Sequence, residues 1–352
     1  MSIESPASEH RNERRTTSGP VRTGIWAAAW IAVLAFLALN LTAGPDGLIY
    51  AEGVPAHPTA FLGLTDWAVP IQVVCFSAWA VFLAYVVRAN RRSVRPHPAF
   101  VVFLGLAVLA LQDPIQNWAV YAAYDPQLLH FPTDWPYFDT APTVEPLLPF
   151  LLYPIAFGVP ALAAIQIYQR VVRPRLSRTS FLGRHPVLCA FGVGEALAIP
   201  VTFVAEFFGT RTHTYTFTQL WPVITIFGGT QGQMHIFYEG PALGALIAIS
   251  TAFLWQDDRG RTVLDRYVER SSRLSRNPRR NVVLLAMAIL STYYLAYGVP
   301  YWMMRLTDSA TSVVKTWPLP DTLVYDPQNR LHEAGVPGPY HVGPLAGWPS
   351  GQ

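Results

Sequence analysis

The sequence predicts an all-α fold: a polytopic transmembrane helix bundle of about seven spans, with ordered aromatic- and proline-rich external loops and C-terminal tail. Three observations predict it. The chain is 51% hydrophobic and 13% charged, with a mean hydropathy of +0.26, too apolar for an ordinary water-soluble domain. Seven stretches reach the ~20 apolar residues that a helix rising ~1.5 Å per residue needs to cross a ~30 Å hydrocarbon layer. The charges also segregate. All 25 basic residues except Arg211, Arg305, Lys315 and Arg330 fall in the N-terminal segment or in the second, fourth and sixth loops. The positive-inside rule puts those segments in the cytoplasm, so the N-terminus is cytoplasmic and the C-terminus external.

Residues 1–22 are polar and charged and read as a disordered cytoplasmic tail. The spans follow at 24–43, 66–87, 98–122, 147–169, 187–208, 233–255 and 282–304. Residues 23–305 thus form the transmembrane domain and 306–352 an external tail. The first span is too long and too uniformly apolar for a cleaved signal sequence and reads as a retained helix. The arginines lie at loop bases, where they anchor to the anionic leaflet; no nucleic-acid partner is indicated. Cys75 and Cys189 fall in spans, so neither a disulfide framework nor a Cys-based metal site is expected. External segments 125–146 and 209–232 carry enough Trp, Tyr and Phe to form packed caps or aromatic belts. The apolar run 220–227 is too short to span, and an eighth helix would invert the later charges.

Ionisable side chains inside a span cost on the order of 2.5–3.5 kcal/mol at its centre and usually face a bundle interior or a wet cavity. Five stand out: Asp113, Glu195, Glu206, His235 and Glu239. In "LQDPIQNWAVY", Asp113, Gln116, Asn117 and Tyr121 share one helical face, while Gln112 lies about 100° off it. Pro114 removes a backbone donor there and predicts a kink. Glu195, Thr202 and Glu206 share a face of the fifth span, the two glutamates ~16 Å apart along the axis. Gln231, His235 and Glu239 recur at intervals of four, and an i,i+4 His–Glu hydrogen bond suits the pair better than a metal. For the Asp113 group the structural alternative is a polar clamp between helices, and for Glu206, near the outer end of its span, it is solvation. Depth along the helices favours convergence of the three polar faces in one cavity toward the outer side.

Carboxylates in a low-dielectric pocket acquire separated pKa values, one staying protonated as an acid and one ionised as a base or charge stabiliser. That pairing suits reactions through an oxocarbenium ion, and dehydrations, without a redox cofactor. A retinal protein needs a Schiff-base lysine in a span, and Lys315, the sole lysine, lies outside. Paired haem-ligating histidines, a phosphate-binding loop and a dinucleotide fingerprint are all missing. No cofactor and no metal is expected.

"QDPIQNW", "YAAYDPQLLHFPTDWP", "EPLL", the Glu-bearing fifth helix and "GGTQGQMHIFYEGP" together resemble the AveC family of bacterial membrane spirocyclases over roughly residues 67–302. Met234 and His235 stand where the family pattern has a Pro before the Tyr–Glu pair. The resemblance implies a multi-pass protein of the bacterial plasma membrane, surrounded by lipid. It also implies a cofactor-independent spiroketal cyclase of polyketide biosynthesis, with dehydratase activity in the namesake. On that reading Asp113, Glu195, Glu239 and His235 are the catalytic candidates: Glu195 or Asp113 drives off water, and Glu239 or His235 stabilises charge and takes a proton. Gln116, Asn117, Tyr121, Trp135, Thr202, Glu206, Gln231 and Tyr238 are assigned to substrate binding. The main alternative is a transporter or exporter of a lipophilic small molecule using buried carboxylates; a third is a structural partner that recruits other enzymes. Nothing in the sequence sets the oligomeric state.

Overall fold

The computed structural model describes residues 31, 35, 39, 41, 60–93, 96–132, 135, 137–138, 142–270, 278–317, 319, 324–326, 328–335 and 340–342. The chain divides into two units, Met1–Leu41 and Thr42–Gln352. In the first, Ile31, Ala35 and Leu39 are helical. The expected tail 1–22 and most of the expected first span lie outside the described residues. The second unit carries everything that follows.

Its principal helices are α1 (Ala68–Arg91), α2 (Pro98–Leu109), α3 (Asp113–Ala119), α4 (Leu148–Ile167), α5 (Pro186–Arg211), α6 (Ile236–Leu254), α7 (Pro278–Tyr293) and α8 (Val299–Leu306). Among the described residues, five helical runs are long and apolar enough to cross a membrane: Ala68–Arg91, Pro98–Ala119, Leu148–Arg175, Pro186–Arg211 and Val282–Leu306. The sequence predicts six spans in this unit. The sixth, α6, is 19 residues long, and its described apolar part is Gly240–Leu254. Residues 233–235, expected inside that helix, are held outside it: the Gln233 amide donates to Phe217 O at 2.7 Å, and Met234 bridges Ile226.

Prolines set the helix boundaries. Pro98 and Pro186 stand in first turns, where no backbone donor is needed. His97 caps α2 by accepting the Ala99 N–H through Nδ1 at 3.3 Å. The kink predicted at Pro114 takes the form of a tight 3-10 turn, Ala110–Gln112, between α2 and α3. The predicted helix to residue 122 stops at Ala119, because Tyr121 adopts a left-handed φ of 56° and the chain enters β1 (Ala122–Tyr124). Tyr121 therefore leaves the helical face it was predicted to share with Asp113.

Small residues let α5 and α6 touch backbone to backbone. A Cβ on Gly194 would sit 2.7 Å from Ala248 Cα, and one on Gly244 would sit 2.8 Å from Ala198 Cβ. Close approach of this kind replaces the hydrophobic driving force that is missing between helices in lipid. The helix α4 packs against α1, α2, α5 and α6, and so forms the middle of the bundle.

Past the ends of α3 and α5 the connections build a cap of short strands. β1 pairs antiparallel with β2 (Tyr215–Phe217), and β3 (Gln219–Leu220) with β4 (Ser312–Val313). β5 (Val324–Asp326) pairs parallel with β6 (Tyr340–Val342). The run 220–227 is absorbed into this cap as Leu220 of β3, the turn Pro222–Ile224 and the Ile226–Met234 bridge, with no eighth helix. Arg305 fastens the cap to the bundle. Its guanidinium donates to Trp118 O at 2.7 Å, near the C-terminus of α3, and lies 4.0 Å from the Trp118 ring and 4.5 Å from that of Tyr121.

The close approach of α5 and α6 makes a paired prediction. Gly194→Val overpacks the contact and should lower stability by about 1–3 kcal/mol. Gly192→Ala, one turn-edge away with nothing within 4 Å of its added Cβ, should leave stability unchanged or raised. Thermal unfolding of the detergent-solubilised protein separates the two; equal effects would mean that Gly194 is not a packing position.

Candidate active site

A cavity of about 370 Å³ lies among α1, α3, α4, α5 and the β1–β2 pair, within the size range of small-molecule sites. Most of its wall is apolar, from Ile71, Val74, Leu152, Ala156, Phe157, Val201, Leu243 and their neighbours. The polar groups converge from a few positions: Asp113, Gln116 and Asn117 on α3, Tyr153 on α4, Thr202 and Glu206 on α5, and Tyr124, Tyr215, Tyr293 and Tyr297 around them. No cationic side chain is among the lining residues.

The centre of this polar set is a linked carboxyl pair. The Asn117 amide donates to Asp113 Oδ2 at 2.9 Å and to Glu145 Oε2 at 2.9 Å. The Tyr153 hydroxyl donates to the other Asp113 oxygen. All three residues of the Asp113–Asn117–Glu145 group are buried. Asp113 faces the cavity; Glu145 stands behind it, on the segment leading into α4. Glu145 lies outside the spanning helices, and burial, together with the Asp113 charge beside it, pushes its carboxyl well above the usual carboxylate range. Two carboxyls this close share one proton more readily than they carry two charges.

Three further groups face the cavity in defined states. Both amide atoms of Gln116 are buried without a hydrogen-bond partner among the described residues, a cost of about 1–3 kcal/mol that a ligand oxygen would relieve. The Thr202 hydroxyl donates to Ala198 O at 3.0 Å, leaving its oxygen to accept. Glu206 Oε2 accepts from the Tyr215 hydroxyl at 2.7 Å.

The cavity thus gathers Asp113, Gln116, Asn117, Thr202 and Glu206 of the predicted residues. Others lie elsewhere. Glu195 is half-buried at the α5–α6 contact, with Oε1 facing Gly244, and is not part of the cavity wall. The Gly194–Ala198 side of α5 packs on α6 at Ala248 and Gly244. His235 is buried in the cap: Nε2 accepts the Trp221 N–H at 3.2 Å, so Nδ1 carries the proton and donates to the Tyr301 hydroxyl. Both ring nitrogens are engaged, which leaves no lone pair for a base. Gln231 sits in the turn before α6, so the predicted helical face with His235 is not formed. Tyr121 accepts the Gln328 amide at 2.9 Å beneath the Arg305 guanidinium. Trp135 packs with Phe131 and Phe138 in the segment before Glu145. The side chains of Tyr238 and Glu239 lie outside the described residues. Among the described residues no three His, Cys, Asp or Glu side chains gather as a metal site.

Sequence reasoning passed over Glu145 and Tyr153. Glu145 precedes a span, where a charge is ordinary, so no membrane burial marks it in the sequence. Its signal was "EPLL", an acidic residue at the entrance to an apolar helix.

Fold and site together define a mostly helical protein of membrane type, with a buried carboxyl pair opening on an apolar cavity. Residues 90–325 match the family described as Spirocyclase AveC-like, and the chain belongs to that family. No curated protein and no solved structure matched it.

The raised carboxyl has a consequence for pH. A Glu that keeps its proton in the fold stabilises fully below its unfolded value of about 4.5, and that stability is lost as the pH rises through the folded value. Glu145→Gln keeps the shape and cannot ionise. The decline in melting temperature above pH about 4.5 should be shallower in this variant than in the wild type. Identical slopes would show that Glu145 does not hold its proton in the fold.

Proposed function

We propose that this chain closes a spiroketal from a dihydroxyketone polyketide in the cavity beside Asp113, by acid–base chemistry shared between Asp113 and Glu145. One observation carries the reading: a carboxyl pair joined through Asn117 opens on a mostly apolar cavity with no cationic side chain among its described lining residues. Family membership supports a spirocyclase-type role in polyketide biosynthesis.

In this mechanism Asp113, receiving hydrogen bonds from Tyr153 and Asn117, is the carboxylate, and Glu145 holds the shared proton. The first hydroxyl adds to the ketone carbon; its proton passes to Asp113 and the carbonyl oxygen takes one from the pair, giving a hemiketal. The hemiketal oxygen then leaves as water, carrying a proton from the pair. The Asp113 carboxylate faces the oxocarbenium that remains. The second hydroxyl attacks this carbon and returns its proton to the pair. One water is lost and the carboxyl pair ends as it began. Gln116 and Thr202 hold substrate oxygens, and the cavity selects one conformer and hence one epimer. Loss of a further water, as a dehydratase, would use the same pair.

A membrane setting agrees with the five long apolar helices, and we place the N-terminus in the cytoplasm from the arginine distribution. The carrier alternative loses support, because Glu195, one of its buried carboxylates, does not face the cavity.

The test is conversion of a linear dihydroxyketone by purified protein in detergent. Wild type should yield one spiroketal epimer. Asp113→Asn and Glu145→Gln should each lower the rate by about 10²–10⁴, the range of general acid–base contributions, with folding intact. Glu195→Gln and His235→Phe, if folded, should retain most of it. Epimer ratios equal to the protein-free reaction would reject the proposal.

A further inference from the structure

We infer that the cavity is loaded sideways from the lipid, through a slot between α1 and α5, and that Val74 and Val204 form the rim of that entrance. The inference rests on the membrane setting proposed above and adds the route by which the site is reached.

The packing leaves the slot open. α1 rests on α4 and α2, and α5 rests on α6 and α4, but α1 and α5 make no extended contact with each other. They form two walls, and α4 forms the floor through Leu148, Leu152, Tyr153 and Ala156. At one end the slot is closed by an aromatic cluster: Trp67 packs 5.2 Å from Phe208, and Phe61 lies 5.7 Å from Phe208 and 6.3 Å from Phe207. Below that cluster no further ring contact joins α1 to α5 among the described residues.

The rim shows what passes. Val74 on α1 and Val204 on α5 both line the cavity, yet are 65% and 62% exposed. A residue that belongs to a cavity wall and also to the outer surface marks a mouth. Ile71 and Ala205 continue the same rim. These groups are apolar and lie on helices with a mostly apolar exposed surface, the arginines of α1 being confined to its last turn at Arg88 and Arg91. Such a mouth in lipid admits a neutral, lipophilic molecule and opposes a charged one, which would have to shed its water at a cost of several kcal/mol. Inside, the same cavity presents the polar groups of α3 together with Thr202 and Glu206 of α5 to a molecule that has entered from hydrocarbon.

Cys75 provides the test, because it lines the cavity next to Val74, is itself buried, and is one of only two cysteines in the chain. The full chain carrying Cys189→Ser is reconstituted in phosphatidylcholine vesicles. It is treated with a pyrene maleimide that partitions into lipid, or with a sulfonated maleimide present on both faces. The lipid reagent should label Cys75 several-fold faster than the sulfonated one. The pair Val74→Trp and Val204→Trp, at lipid-facing positions where folding is not at stake, should slow the lipid reagent several-fold. Equal labelling by both reagents, no labelling by either, or no effect of the Trp pair with a wild-type melting temperature would overturn the inference. Labelling needs no turnover, so failure of the spirocyclase reading leaves this result standing.

Discussion

One amide holds the site together. The Asn117 side chain donates to carboxyl groups from two parts of the chain, Asp113 on its own helix and Glu145 on the segment entering α4. Among the described residues neither carboxyl has a cationic partner, so the pair is tolerable in the interior only if it holds a proton between its members and its lone pairs are met by donors. Asn117 and Tyr153 supply those donors. The i,i+4 spacing of Asp113 and Asn117 works because the 3-10 turn ends at Gln112 and a regular helix restarts at Asp113.

In the cap, His235, Gln233, Arg330 and Asp326 are bonded to backbone or side chains within it, while His213, Thr218 and Gln219 keep buried atoms without a partner among the described residues. The cavity also holds such groups. Gln116 remains unsatisfied and Thr202 keeps an accepting oxygen. Buried polarity that is left unpaired is where a ligand gains most, since binding relieves a standing cost.

Hydropathy and the break at Pro114 made the helices and the polar face of α3 legible in the sequence. Asp113, Gln116 and Asn117 could be found because a polar cluster in a span needs a reason. Glu145 could not be found that way, since a charge in a loop is ordinary until tertiary packing buries it. Helical spacing also misled where the helix had ended: Tyr121 and Gln231 were placed on faces that a left-handed residue and a turn had already dissolved. Glu195 and Glu206 share a predicted face, yet Gly194, Ala198, Gly244 and Ala248 draw the first part of α5 onto α6 and leave only the second part for the cavity. Which helices touch depends on such small-residue contacts, and periodicity does not encode them.

The last spanning run contains a wide π-type turn, Tyr294–Gly298, just before Pro300. Tyr293 and Tyr297 line the cavity from it, and Gly298 gives the room in which Gln116 approaches. Seven residues further on, Arg305 reaches the Trp118 carbonyl. Each residue advances a helix by about 100°, so the extra residue in this turn sets the phase between the tyrosines on one side and the arginine on the other. Side chains on its outer surface, such as the exposed Leu295, are free to vary in kind. Their number is fixed, because one residue more or fewer would swing Arg305 a quarter turn away from the carbonyl that anchors the cap.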